Sequence, residues 1–302
     1  MIKESNMDRL FNIINMILLC LALFIAAYPI YFIIIASVSS PSAVNFGEVW
    51  LWPKGFTLKG YEFVIQNEKL WIGYKNTVIL TIVGTSINLL LTLSAAYALS
   101  KSDLPGMRFV MFMLTFTMFF GGGLIPTYIL VSNLKLRNTL WALIIPTAVS
   151  MYNIILTRTY FLKNISQELI QAAKIDGCSE FRAFISVVLP LSGPIIATMG
   201  LFYGIGHWNQ FFQALLYISK EELYPLQLIL REILLIGNTV VTDMLKNAPQ
   251  TGENLKYISQ MMERAEILKY AVIIVASAPV LMIYPFLQRF FMKGIMVGSL
   301  KG

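Results

Sequence analysis

At 302 residues, 57% hydrophobic and only 13% charged, the chain is far too apolar for a soluble domain, which carries about 25% charge. In so apolar a chain the net charge of +7 concerns the orientation of membrane loops, and no nucleic-acid partner is expected. Long apolar runs exclude a β-barrel, whose strands would alternate, and leave an all-α membrane protein, a polytopic helical bundle.

Six spans are predicted, at about 13–38, 76–99, 108–132, 139–160, 194–218 and 267–290, which makes 13–290 one transmembrane domain. Residues 1–12 form a tail bearing Lys3 and Arg9. The first span runs about 25 residues, beyond the roughly 7–15 of a signal-peptide core, and is read as retained. Charge places the N-terminus inside by a narrow margin. Lys101 and Arg108 sit at the short inside loop, while Lys135 and Arg137 in a short outside loop argue the other way. The two long outside segments, 39–75 and 219–266, count for little in that rule. Trp50, Trp52 and Trp71 suit a membrane–water interface, and the excursion 219–266, with helical stretches expected at 223–236 and 254–266, suits contact with another protein. Cys20 lies in a span and Cys178 in a polar loop, so neither a disulfide nor a metal site is expected.

Within the third span, Gly121-Gly122-Gly123 precede Pro126 and predict a broken helix, because glycine loosens the backbone and proline removes a hydrogen bond. The fifth span carries Gly200 and Gly204 in GxxxG spacing, which predicts close helix packing. Pro279 and Pro285 predict a kink in the last span. No Asp or Glu falls in the middle of any span, and no internal repeat is visible. Both observations weigh against an ion-coupled carrier. No nucleophile, metal-ligand or acid–base constellation points to an enzyme, and no cofactor is expected. GxxxxGK[ST] is absent, so the chain has no P-loop with which to hydrolyse ATP.

The polar stretch 161–193 reads as a helix–turn–helix. Ser166 caps a helix that runs to about Ile175, with Glu168 at its positive end. Gly177 supplies a turn with φ > 0, and Ser179 caps a second helix. There Phe181, Phe184, Ile185 and Val188 fall at i, i+3, i+4 and i+7 as one apolar stripe, and Pro190 and Pro194 end it. Ala172 and Ala173 are small enough to let a partner surface approach.

The string QAAKIDGCSEFRAFISVVLPLSGP, residues 171–194, resembles the cytoplasmic EAA loop of ABC importer permeases. Gln171, Ala172, Ala173, Gly177, Leu189 and Pro190 match that pattern, with Gln171 standing where the family has an acid. Residues 74–101, ending AYALSK, resemble the second span of carbohydrate-uptake permeases. FFGGGLIPTY at 119–128 is similar to the complex-oligosaccharide subset, and FMKGIMVGSLKG at 291–302 to the family's C-terminal tail. The whole chain resembles the smaller, six-span permease of a maltose-type importer.

The resemblance implies a type I importer fold in a bacterial cytoplasmic membrane, with both termini inside. It implies a non-catalytic subunit that moves a carbohydrate, of oligosaccharide size. Its partners would be a second permease, an ATPase dimer, an external sugar-binding protein and the surrounding membrane lipid. Gln171, Ala172, Ala173, Asp176, Gly177, Phe181, Phe184 and Pro190 would form the ATPase-coupling element. Lys293, Gly294, Gly298 and Lys301 of the tail 291–302 would contact the ATPase. A sugar passage needs aromatic faces and hydrogen-bonding groups. Tyr203, Asn209 and Gln210, near His207, Trp208 and Gln213 in span five, are the candidates to line it; interhelical hydrogen bonding is the alternative use of such residues. An ABC permease for a non-sugar solute and a secondary carrier remain the competing functions.

Overall fold

The computed structural model describes residues 6–101, 106–235, 268–283 and 285, and among them the regular structure is entirely helical. The chain divides into two compact units, Met1–Glu68 with Leu230–Ala278, and Lys69–Ile229 with Pro279–Gly302. The C-terminal tail with Lys293, Gly294, Gly298 and Lys301, the expected helix at 254–266, and all of the last span beyond Ile283 except Pro285 lie outside the described residues.

In the first unit, α1 (Asn6–Ser37) is apolar all round and exposed over most of its length. At 1.5 Å per residue its 32 residues reach about 48 Å, ample for a hydrocarbon core of about 30 Å. Only its last residues, Ile35, Ala36 and Ser37, are buried. Ile35 joins Ala43 and Val49 in a small core, after Ser40 has capped α2 (Pro41–Asn45) by accepting the Ala43 N–H. The Tyr28 hydroxyl donates to the Trp50 carbonyl at 3.4 Å and that of Tyr31 to Leu51, which holds the Trp50–Trp52 segment against α1 while both indoles stay exposed. Helix α3 (Lys59–Gln66) is fixed through Tyr61, whose hydroxyl lies 2.8 Å from Ser37 Oγ.

The second unit is organised by α4 (Glu68–Leu99), which is also long and apolar enough to cross a membrane. Its buried stripe includes Gly73, Asn76, Thr77, Leu80, Gly84, Asn88 and Thr92, while Ile79, Ile82, Leu90 and Leu91 face outward. The polarity is inverted relative to a water-soluble helix, as expected where lipid is the solvent and helices join through small residues and hydrogen bonds. The Asn76 amide donates to the Glu222 and Tyr224 carbonyls at 2.8 and 3.1 Å, and Thr77 Oγ1 accepts the Leu226 N–H, which starts the helix at 226–235. The close approaches predicted for Gly200 and Gly204 are found at Gly73 and Gly84 of α4. A Cβ would meet Ile229 at 2.5 Å from Gly73 and His207 at 2.4 Å from Gly84, but nothing nearer than 3.8 Å at Gly200 or Gly204.

Helices α5 (Met107–Phe119) and α6 (Leu124–Asn133) are bent by 107° at the Gly121–Gly123 break, with Gly123 at φ +84. Pro126 falls in the first turn of α6, where its missing N–H costs nothing. Two segments read from sequence as continuous helices are instead broken. Between 139 and 160, α7 (Trp141–Ile144) tightens through Ile145–Thr147 at Pro146, and α8 (Met151–Asn164) starts afresh because Ser150 Oγ accepts the Asn153 N–H. Between 194 and 218, α12 (Gly193–Trp208) stops at Asn209 and α13 (Phe212–Tyr217) follows. The Asn209 backbone N–H makes the last regular bond of α12, to the Ile205 carbonyl at 3.0 Å, and its side-chain amide donates to the same carbonyl at 3.1 Å. With two unbroken long helices and two bent pairs, the described residues hold up to four membrane crossings.

One core joins α4, α8 and α12 through Leu93, Ile154, Phe161, Ile195 and Met199, and takes in Ile170 and Val188 of the polar loop. A second joins Leu80, Val131, Leu143 and Tyr217.

Candidate functional site

The polar loop folds as its caps dictate. Helix α9 (Gln167–Ile175) starts at Ser166, whose Oγ accepts the Glu168 N–H. It ends in a Schellman turn: Gly177 N–H donates to the Lys174 carbonyl at 3.0 Å and Cys178 N–H to that of Ala173 at 2.9 Å, with Gly177 at φ +79. Ser179 Oγ then accepts the Arg182 N–H and opens α10 (Glu180–Ala183). A wide π-turn over Phe184–Val188 leads into α11 (Leu189–Leu191), and the chain bends 83° between α11 and α12. Pro194 is the second residue of α12, where proline is tolerated, whereas Pro190 lies near the end of the continuous helical run Glu180–Leu191.

The expected apolar stripe divides between a covered and an exposed side, because the covered face runs through Ala183, Phe184, Val187 and Val188. Val188 is buried and Phe184 half-buried, but Ile185 is exposed and Phe181 is 73% exposed. The loop therefore anchors through Ile170, Ala183 and Val188 and presents Phe181 and Ile175, the latter 87% exposed, together with Gln171, Ala172, Asp176 and Gly177. Ala173 is partly covered, and Pro190 is exposed.

Sequence reasoning missed the carboxylate of Glu180. Its Oε2 accepts from the Tyr97 hydroxyl at 2.9 Å and pairs with Lys101 Nζ at 3.0 Å, while Oε1 pairs with Lys174 Nζ. The bonds from Lys174 and Lys101 hold this carboxyl well below the usual carboxylate range, at about 2. Burial works against the Lys101 charge, but its bonds to Tyr97 and Glu180 outweigh this and raise its pKa. Because the folded-state pKa of Glu180 lies below its ordinary 4.5, the stabilisation is complete above pH 4.5 and is lost as pH falls toward 2. The Glu180 side chain is 51% exposed, so solvent screens the pairs. Glu180→Gln should lower stability by less than about 1 kcal/mol near neutrality. Thermal unfolding in detergent from pH 7 downward should show the gap between the two proteins closing below pH 4.5.

A second constellation lies among α4, α12 and the two helix breaks. Asn88 Nδ2 donates to the Thr147 and Ala148 carbonyls at 2.7 and 2.8 Å, so its Oδ1 is left to accept from His207 Nε2 at 2.7 Å. Gln210 Nε2 donates to the Leu143 carbonyl at 2.9 Å, with its Oε1 3.4 Å from His207 Nδ1. Tyr203 shares a 2.7 Å bond with Thr92 Oγ1. Asn88 and Gln210 satisfy the carbonyls freed where α7 ends, as irregular backbone within a membrane requires.

Beside the network is a cavity of about 260 Å³ lined by Thr147, Phe202, Tyr203, Gly206, His207, Asn209, Gln210 and Gln213. The three residues predicted to line a passage, Tyr203, Asn209 and Gln210, thus share one wall. They do so across the break that ends α12, not along one helix as predicted. Tyr203 and Gln210 are also buried and hydrogen-bonded between helices, and His207 is wholly so employed. The volume is slightly below the range of about 300–1,000 Å³ for enclosed ligand sites. No group of three or more His, Cys, Asp or Glu that would hold a metal occurs among the described residues.

Comparison with known proteins gives a consistent picture. The family described as binding-protein-dependent transport system inner membrane component matches residues 88–297. Protein LplC of Bacillus subtilis (strain 168) is 37% identical over 99% of this chain and 97% of its own. The polygalacturonan/rhamnogalacturonan transport system permease protein YtcP of the same organism is 36% identical over 98% of this chain and 99% of its own. Among solved structures, a chain of a bacterial ABC transporter involved in the import of the acidic polysaccharide alginate superposes with a TM-score of 0.84 at 32% identity, over 96% of this chain and 100% of that one.

Proposed function

The chain belongs to the family of binding-protein-dependent transport system inner membrane components, and from that premise we propose how it works: it is the membrane permease of a carbohydrate ABC importer, driven by ATP that a separate ATPase dimer hydrolyses. The likeness to the alginate importer chain, at 32% identity over 96% of the sequence, carries this reading. Relatives named for polygalacturonan/rhamnogalacturonan and for arabinooligosaccharides support an oligosaccharide as the substrate. The fold is that of a type I importer permease, with six spans in a bacterial cytoplasmic membrane and both termini inside. A second permease completes the passage, and an external sugar-binding protein delivers the substrate.

Residues 161–193 form the cytoplasmic coupling loop. Gln171, Ala172, Ala173, Asp176 and Gly177 make up the small, polar end that meets the ATPase, and Phe181 adds an exposed apolar contact. Phe184 secures the far side of the loop against the bundle by stacking on Tyr97, and the exposed Pro190 completes the coupling element. Lys293, Gly294, Gly298 and Lys301 are proposed as ATPase contacts on the sequence resemblance alone. Closure of the ATPase dimer pushes the loop as a rigid body, and the push opens the passage beside α12.

Tyr203, Asn209 and Gln210 form this chain's wall of the passage. Alanine at each should slow sugar uptake by about 2- to 10-fold, the worth of one hydrogen bond of about 0.5–1.5 kcal/mol. Uptake by all three variants at the unaltered rate would remove them from the passage. The reading as a whole is tested by a mild-detergent pull-down of the tagged chain with mass spectrometry. A second permease and an ATPase should follow it, and uptake should stop on ATP depletion but survive an uncoupler. The chain recovered alone, with uptake collapsing under the uncoupler, would reinstate a carrier.

A further inference from the structure

We propose that Glu180 is a positioning residue that clamps the loop 161–193 to the end of α4 through Lys101, so that displacement of the loop is delivered to α4 and along it to the passage wall. This rests on the reading of 161–193 as the coupling loop. Three elements converge on the one carboxylate: Tyr97 and Lys101 from the end of α4 and just beyond it, Lys174 from α9, and Glu180 itself from the start of α10. Lys101 lies over the Tyr97 ring, 4.4 Å from its centre, and Tyr97 stacks on Phe184 of the π-turn at 4.8 Å. Arg158 Nε donates to the Leu99 carbonyl at 2.8 Å and ties α8 to the same end of α4.

The apolar contacts of the loop with the bundle are non-directional, so they permit sliding. Charge-assisted bonds that draw Tyr97, Lys101 and Lys174 onto one carboxylate resist that sliding, and so set the register between loop and helix. Helix α4 is unbroken from Glu68 to Leu99. Leu99 and Asn88 are therefore about 16 Å apart along one rigid element. Asn88 holds His207, and His207 lines the cavity with Tyr203 and Gln210. A displacement at Lys101 thus reaches the passage wall without crossing a hinge. The side chain of Lys101 is only 20% exposed, the most sheltered of the three charged members. It is therefore the better point at which to break the clamp.

The test uses the full importer, chain, second permease, ATPase dimer and binding protein, reconstituted in liposomes, and reads ATP hydrolysed per sugar moved. Lys101→Met should raise that ratio about 5-fold or more, the lower end of coupling between linked sites. Lys101→Arg, which keeps the charge and the donors, should stay within about 2-fold of the unaltered importer, a difference well below that coupling range. Glu180→Gln should behave as Lys101→Met does and serves if the latter fails to assemble. An unchanged ratio in Lys101→Met or Glu180→Gln overturns the clamp. So does an equal rise in Lys101→Arg, which would mean that the bond is not what matters. Retention of the ATPase by the unaltered chain, measured in the same preparation, separates the two ideas: no retention refutes the coupling-loop reading itself, whereas retention with an unchanged ratio refutes only the clamp.

Discussion

Gly177→Pro should abolish coupled uptake while the chain still accumulates in the membrane. Gly177 sits at φ +79, and proline requires about −65. The substitution also removes the N–H that donates to the Lys174 carbonyl, and the flip that proline forces pulls Cys178 off Ala173. Both bonds of the Schellman turn go, and α9 loses its fixed angle to α10. None of these groups is in a span, so insertion should be untouched. Uptake should fall at least 10-fold, equivalent to about 1.4 kcal/mol of lost coupling. Gly177→Asp supplies the contrast. Aspartate tolerates the left-handed region better than most residues, and a Cβ at 177 meets nothing within 4 Å. The turn should survive with a new carboxylate on its exposed crest, and the ATPase should be lost from the pull-down. Uptake at the normal rate by both variants, at normal abundance, would mean that the loop does not transmit the stroke.

The second large effect is expected at Gly84. An added methyl would lie 2.4 Å from His207 Nε2, inside any allowed contact. The imidazole cannot retreat, because it is buried between Asn88 and Gln210. Gly84→Ala should combine overpacking of about 1–3 kcal/mol with an unsatisfied buried acceptor on Asn88 worth about 1–3 kcal/mol. A loss of about 2–6 kcal/mol should appear as a lowered melting temperature in detergent and reduced accumulation. Adding His207→Ala relieves the clash, so the double variant should be less damaged than the sum of the two single ones. Gly84→Ala melting with the unaltered protein would show that the approach is not tight.

The local turn chemistry was legible because its signals are short-range. Ser166, Ser179 and the Gly177 turn each act within a few residues, and Gly121–Gly123 likewise break their helix on their own account. The breaks at Ile145–Thr147 and after Trp208 were not legible. Pro146 and the Asn209-Gln210 pair mark them only weakly within long apolar runs, and the bonds that satisfy the freed groups span distant parts of the chain: Asn88 bonds Thr147 and Ala148, and Gln210 bonds Leu143. The apolar stripe over Phe181–Val188 misled because a helical wheel shows which residues share a face but not which face meets the bundle: Ala183, Phe184 and Val188 are covered, while Phe181 and Ile185 are exposed. Glu180 went unremarked because two of its three partners, Tyr97 and Lys101, are about 80 residues away. In α4, the Gly–Asn–Thr stripe is a pattern to be read inside out: at mid-span, the polar and small positions mark the interior.

That stripe sets an order of events during synthesis. The carbonyl that receives the Asn88 amide is 59 residues further along the chain, and His207 is 119 residues further. At about 5–20 residues per second, α4 waits about 3–12 s for the first partner and about 6–24 s for the second. Through that interval an amide that hydrocarbon cannot satisfy must be kept wet. Helix α4 should therefore linger beside the insertion machinery and pass into lipid only when the break after α7 and then α12 emerge to claim it.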